Sequence, residues 1–190
     1  MRYAELSAAD VRGALDDLAR DAAETFGDLD GRQLNWRSDE TRWSVAQCFQ
    51  HLLTGNDLML AAAKDALANP RRSLWQRIPL LPGAFGWAMI RSQAPEATRK
   101  YTAPAKARPA TSDLPGDIIP RFVDQHRGAA EWLRTLDERE MARTIMVSPF
   151  VRVITYSVLD GVRLLFAHDR RHFEQARRVT QSAGFPRPSA

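Results

Sequence analysis

The chain is short of several things, and each shortage removes a class of explanation. It has a single cysteine, Cys48, among 190 residues, so no intramolecular disulfide can form and a reducing compartment is the natural setting. It has no run of about eighteen apolar residues that would cross a membrane. Its opening stretch, MRYAELSAADVRGALDD, carries charges where a secretory signal needs an apolar core, so a cytoplasmic protein without a membrane anchor is expected. No block of one charge stands out either. The 27 basic residues are spread along the chain, so a net charge of +4 and a pI near 9.7 point only to a weak preference for anionic ligands. The pairs Arg71-Arg72, Arg170-Arg171 and Arg177-Arg178 are the most that can be set beside a nucleic-acid reading. Without a stacking motif or a reading helix, that partner is not expected.

What is present suits one folded domain spanning residues 1–190. A composition of 44% hydrophobic and 26% charged residues is that of an ordinary globular chain, and the length supports a core without staples. Apolar residues at Val11, Leu15, Leu18, Ala22 and Phe26 predict a first helix, with Ser7 as its cap and Gly27 just past its end. Ser44 and Gln47 form a capping box for a second helix that runs to about Ala68, before Asn69-Pro70. A third follows Pro115-Gly116, with Asp117 as cap, and ends near Leu136. The fourth starts at Ser157, with Asp160 three residues on, and is expected to reach Gly184. The stretch IMVSPFVRVITY is read as a connection.

The fold class that follows is all-α. The links after the first and third helices are each long enough to travel back along a helix, at roughly 3.3 Å per extended residue. They permit an up-up-down-down four-helix bundle in which the second and fourth helices are antiparallel. Residues 70–116 are too long for an idle loop and read as a covering segment over one end of the bundle, with a short helix at FGWAMIRS.

The histidines carry the chemistry. His168 and His172, in FAHDRRHFEQAR, stand four residues apart on one helix face, where a divalent ion can bridge them. With four histidines in the chain, such a pair alone is weak. His51, in WSVAQCFQHLL, strengthens it, because an antiparallel second helix brings His51 to the level of the other two. Three neutral imidazoles would leave Zn²⁺ or a similar ion with its full charge and an open position, as in catalytic rather than closed structural sites. Gly55, one turn on, would leave room there. His126 reads as a hydrogen-bonded core residue, Cys48 as core packing, and the five tryptophans as core or pocket wall, with Trp75 and Trp87 as candidates to line a ligand cavity. Asp57, Asp169 and Glu174 are each eligible to orient a ligand histidine.

Several of these residues fall in an order that resembles the DinB-like family of metal-dependent helical bundles. The features are Trp43 and Ser44 opening the second helix with His51 seven residues after the serine, the element APAKARP ending at Pro109, and HxxxHxxQ at His168, His172 and Gln175. The resemblance covers essentially the whole chain. It implies an up-up-down-down bundle that holds a zinc- or nickel-type ion on His51, His168 and His172, and frequently a homodimer. It also implies a range of activities that includes thiol-dependent S-transferases working with a low-molecular-weight thiol, where Arg71, Arg72, Arg77 or Arg91 could pair with an acidic group of that cosubstrate. Either a metal-dependent enzyme acting on a small molecule, transferase or hydrolase, or a non-catalytic metal- or ligand-binding bundle is compatible with that pattern.

Overall fold

The computed structural model describes residues 2–69, 81–96, 103–110 and 113–187. Four long helices, α1 (Ala8–Phe26), α3 (Val45–Ala68), α5 (Ile118–Arg134) and α7 (Val158–Thr180), are joined by shorter ones, α2 (Gly31–Asn35), α4 (Leu81–Gln93) and α6 (Glu138–Arg143). Their starts are set by local chemistry. The Ser7 hydroxyl accepts the Asp10 amide while the Asp10 carboxylate accepts the Ser7 amide, and Ser44 with Gln47 and Asp30 with Gln33 do the same. Ser157 accepts the Asp160 amide at the head of α7. Each cap satisfies donors that a helix end otherwise leaves bare, for about 1 kcal/mol.

Asp117 does not cap α5. Its backbone lies at φ −83°, ψ 6°, and its side chain makes no capping hydrogen bond. An N-cap needs an extended backbone to swing its side chain over the first turn, and the third helical residue here, Pro120, has no amide to offer. The far end of α7 also differs from expectation, since the helix stops at Thr180 and Gly184, at φ 83°, belongs to the following turn, where Phe185 meets Trp36 edge-on.

The long helices share one core. α1 packs on α5 and α3 on α7, while α3 also meets α5 and α1 meets α7. Phe26, Phe49, Phe122 and Phe173 run through the centre as edge-to-face pairs with centroids 4.8–5.2 Å apart, each worth about 0.5–1.5 kcal/mol beyond the area buried. Cys48 is buried beside them and burial pushes its thiol up to about 12, so it is packing, as expected.

The stretch read as a connection is a β-hairpin. β1 (Ile145–Val147) and β2 (Thr155–Ser157) pair antiparallel, with Met146 opposite Tyr156. Those two side chains turn inward, and the Tyr156 hydroxyl contacts Met59 Sδ at 3.4 Å, while Val153 faces out. The hairpin sits close on α7 at Gly161, where a Cβ would come within 2.6 Å of Met146 Sδ and the thioether would have to shift. Between α3 and α5, FGWAMIRS lies within α4, which packs on α7 and β2. Trp87 on it is 56% exposed, with the Arg91 guanidinium over its ring, rather than walling a cavity among the described residues. Trp75, Arg71, Arg72 and Arg77 lie outside the described residues. No described helix is long and apolar enough to cross a membrane.

Candidate metal centre

The capped start of α3 places His51 two turns in, between Leu52 and Phe49 on its buried side, and His51 itself is 4% exposed. Helix α7 brings His168 and His172, both half-buried, to the same level. The three imidazoles offer ligand nitrogens that all lie within 4.8 Å of one another. Their ring centroids are 4.6–5.1 Å apart, and Nε2 of His51 is 3.3 Å from Nε2 of His168. The convergence expected from two separate stretches of sequence is therefore present.

The surroundings decide which nitrogen of His51 is free. The Ala107 carbonyl accepts from Nδ1 of His51 at 2.5 Å, so the proton of a neutral ring sits on Nδ1 and the Nε2 lone pair faces the other imidazoles. That carbonyl is held by side chains of the same helix. Gln47 Nε2 donates to the Ala110 carbonyl at 2.8 Å, and the Ala110 amide donates to Gln50 Oε1 at 2.6 Å, so residues 107–110 are strapped along α3. Trp43, just before the helix, stacks on His172 with centroids 5.7 Å apart and leans on His51 at 5.0 Å. Burial first, and then the neighbouring His168, hold His51 down to about 4; burial followed by His168 and His51 holds His172 down to about 2. Both rings are neutral, as metal ligands must be.

Do these residues fit an ion? Two imidazole nitrogens on one tetrahedral ion at about 2.05 Å would stand roughly 3.3 Å apart, which is the spacing of the two Nε2 atoms. Nδ1 of His172 is buried without a hydrogen-bond partner among the described residues. The donor set is all imidazole, which suits zinc, nickel and their neighbours and not calcium or magnesium.

Comparison with known proteins gives the family and the fold. The DinB superfamily profile matches residues 14–176. The chain belongs to the DinB superfamily. Among solved structures it is similar to YfiT from Bacillus subtilis, described as a probable metal-dependent hydrolase with an unusual four-helix bundle topology. The likeness has a TM-score of 0.63 at 14% identity over 93% of this chain and 87% of that one, and establishes a shared fold. No curated protein matches the chain.

Within this DinB-superfamily chain the remaining candidates sort by what they touch. His126 is 1% exposed, donates from Nδ1 to the Phe122 carbonyl at 3.1 Å and lies 2.9 Å from Asp169, away from the three-histidine cluster. Asp57 accepts from Gln125 and Glu174 pairs with Arg170 and Arg177, so neither turns to a ligand ring. Asp169 does approach one, with Oδ1 3.9 Å from His168 Nδ1. Burial alone would raise Asp169, but His126 and His168 beside it outweigh that and lower it. A Cβ on the buried Gly55 would meet nothing within 4 Å among the described residues, so a larger side chain there clashes with none of them. Sequence reasoning missed the Ala107 carbonyl and Asn56. The first is a backbone group and leaves no trace in composition; the second is a buried amide, and only its place on the apolar side of α3 could have flagged it.

Proposed function

We propose that His51, His168 and His172 together hold one divalent ion, zinc or nickel, and that the chain is a metal-dependent enzyme acting on a small molecule, as a hydrolase or a thiol-dependent S-transferase. The observation that carries this is the pair of Nε2 atoms at 3.3 Å beside a third imidazole, with no carboxylate in the set. An ion held by these three neutral ligands would keep its full charge and would supply a nucleophile by lowering the pKa of a water or thiol. The protein's own part is orientation. Ala107 fixes the tautomer and angle of His51, Trp43 covers His172, and burial keeps both rings uncharged and ready. The name of YfiT supports the hydrolytic form, and the family resemblance supports the thiol form, in which a low-molecular-weight thiol is the cosubstrate.

The same reading takes the long helices to run up-up-down-down, which would let α3 and α7 present their histidines at one level, and takes the protein as a homodimer. Elemental analysis of freshly purified protein, followed by hydrolysis and thiol-conjugation screens with and without the ion, tests the proposal. One ion per chain and a turnover lost on chelation are expected. An ion whose removal melts the bundle, with no turnover in either screen, would instead make this a binding protein.

A further inference from the structure

His168 has two ring nitrogens, and only one faces the other imidazoles. Nε2 lies against His51, while Nδ1 is on the side of Asp169, whose Oδ1 is 3.9 Å away. The Asp169 side chain is 0% exposed, and that Oδ1 makes no hydrogen bond among the described residues. The other oxygen is occupied. Oδ2 accepts from Asn56 Nδ2 at 3.0 Å and lies 2.9 Å from His126 Nε2. Asn56 also donates to Gln125 Oε1 at 3.1 Å, and Gln125 Nε2 donates to the Leu53 carbonyl at 2.9 Å, so the carboxylate is anchored to α3 and α5 at once.

A buried carboxylate with one oxygen left over is costly, because an unpaired buried acceptor forfeits its hydration without return. A neutral imidazole that gives its Nε2 lone pair to an ion keeps its single proton on Nδ1, and such a proton is usually given to a carboxylate, a carbonyl or water. The two needs match. At 3.9 Å the contact is too long for a hydrogen bond, and a shift of about 1 Å closes it.

Resting on the three-histidine metal reading, we propose that Asp169 is the positioning residue of the centre: its Oδ1 accepts a hydrogen bond from the Nδ1–H of His168, and His126 and Asn56 hold it in place to do so. The buried polar cluster between α3, α5 and α7 is then part of the metal site and not only of the core. Metal binding at one end of it would be felt on α5, whose own histidine touches no ion.

The test is titration of the metal-free protein with Co²⁺ and Zn²⁺ against a competing chelator, for the natural chain and Asp169→Asn. Asp169→Asn is expected to stay folded by circular dichroism, still bind one ion, weaken it about 10- to 100-fold, and alter the visible spectrum of bound Co²⁺. An unchanged affinity and spectrum in a folded variant overturns the proposal and leaves the metal reading standing. Failure of the natural chain to bind either ion overturns both. If the variant does not fold, the natural chain decides. With Zn²⁺ bound and ¹⁵N-labelled histidine, Nδ1 of His168 should carry a proton protected from exchange, and a bare Nδ1 there sinks the idea.

Discussion

Two polar regions are buried side by side in this apolar bundle, and they differ in one respect. Around His51, His168 and His172 there are three imidazoles and no acid within their set; around His126 there is one imidazole and the carboxylate of Asp169. Both regions draw on α7, and adjacent residues of that helix, His168 and Asp169, serve one each. An imidazole beside a carboxylate is compensated inside the protein. Three imidazoles that face one another are not, since protonating any of them puts a cation against its neighbours in a low-dielectric site. The His126 region has a carboxylate of its own to meet its imidazole, whereas the three-histidine region has lone pairs that a cation from outside can use.

The widest separation between the two regions should appear in metal content. His172→Ala is expected to abolish stoichiometric metal, and His126→Phe to retain one ion per chain; elemental analysis that found equal metal in both would erase the distinction. Stability should divide them the other way. His126→Ala strips Asp169 of a partner and leaves its charge buried, which costs about 3–5 kcal/mol in urea unfolding, while His51→Ala in chelator-treated protein should cost markedly less.

Acid should act on the histidine cluster of the metal-free protein. His51 and His172 sit near 4 and 2 in the folded chain, against about 6.5 unfolded. As pH falls below about 6.5 the unfolded chain takes up protons that the folded one refuses, so stability present above that pH is lost towards pH 4. The slope is at most about 1.4 kcal/mol per pH unit for each ring. Unfolding midpoints that stay flat from pH 7 to 4 would contradict the burial of neutral rings. The smallest expected effect is at Gly55. The methyl of alanine there meets nothing within 4 Å among the described residues, and alanine improves helix propensity, for a gain of about 0.5–1 kcal/mol. Should Gly55→Ala also weaken metal binding, that part of α3 belongs to the site.

Much of this was readable in advance, for a local reason. The starts of α1, α3 and α7 follow from Ser7, Ser44 and Ser157 with partners three residues on, chemistry contained in a single turn. Asp117 looked the same and failed, because the residue that would complete its cap is a proline. The hairpin at Ile145–Ser157 was passed over since its strands are three residues each, too short for alternation to register, and they are held by packing of Met146 and Tyr156 on the bundle. Helices α2 and α6, five and six residues long, escaped for the same reason.

By itself the order of residues determined which segments are helical, which faces are apolar, and that three histidines are available at spacings compatible with one centre. Those are properties of neighbours within a turn or two of the chain. Only the tertiary structure decided that the Ala107 carbonyl orients His51 across 56 positions, that Nε2 of His51 meets Nε2 of His168 across 117, and that of three eligible acids Asp169 alone approaches a ligand ring. Contacts of that range depend on how whole helices pack, and side-chain direction, proton placement and backbone acceptors are set only once they have.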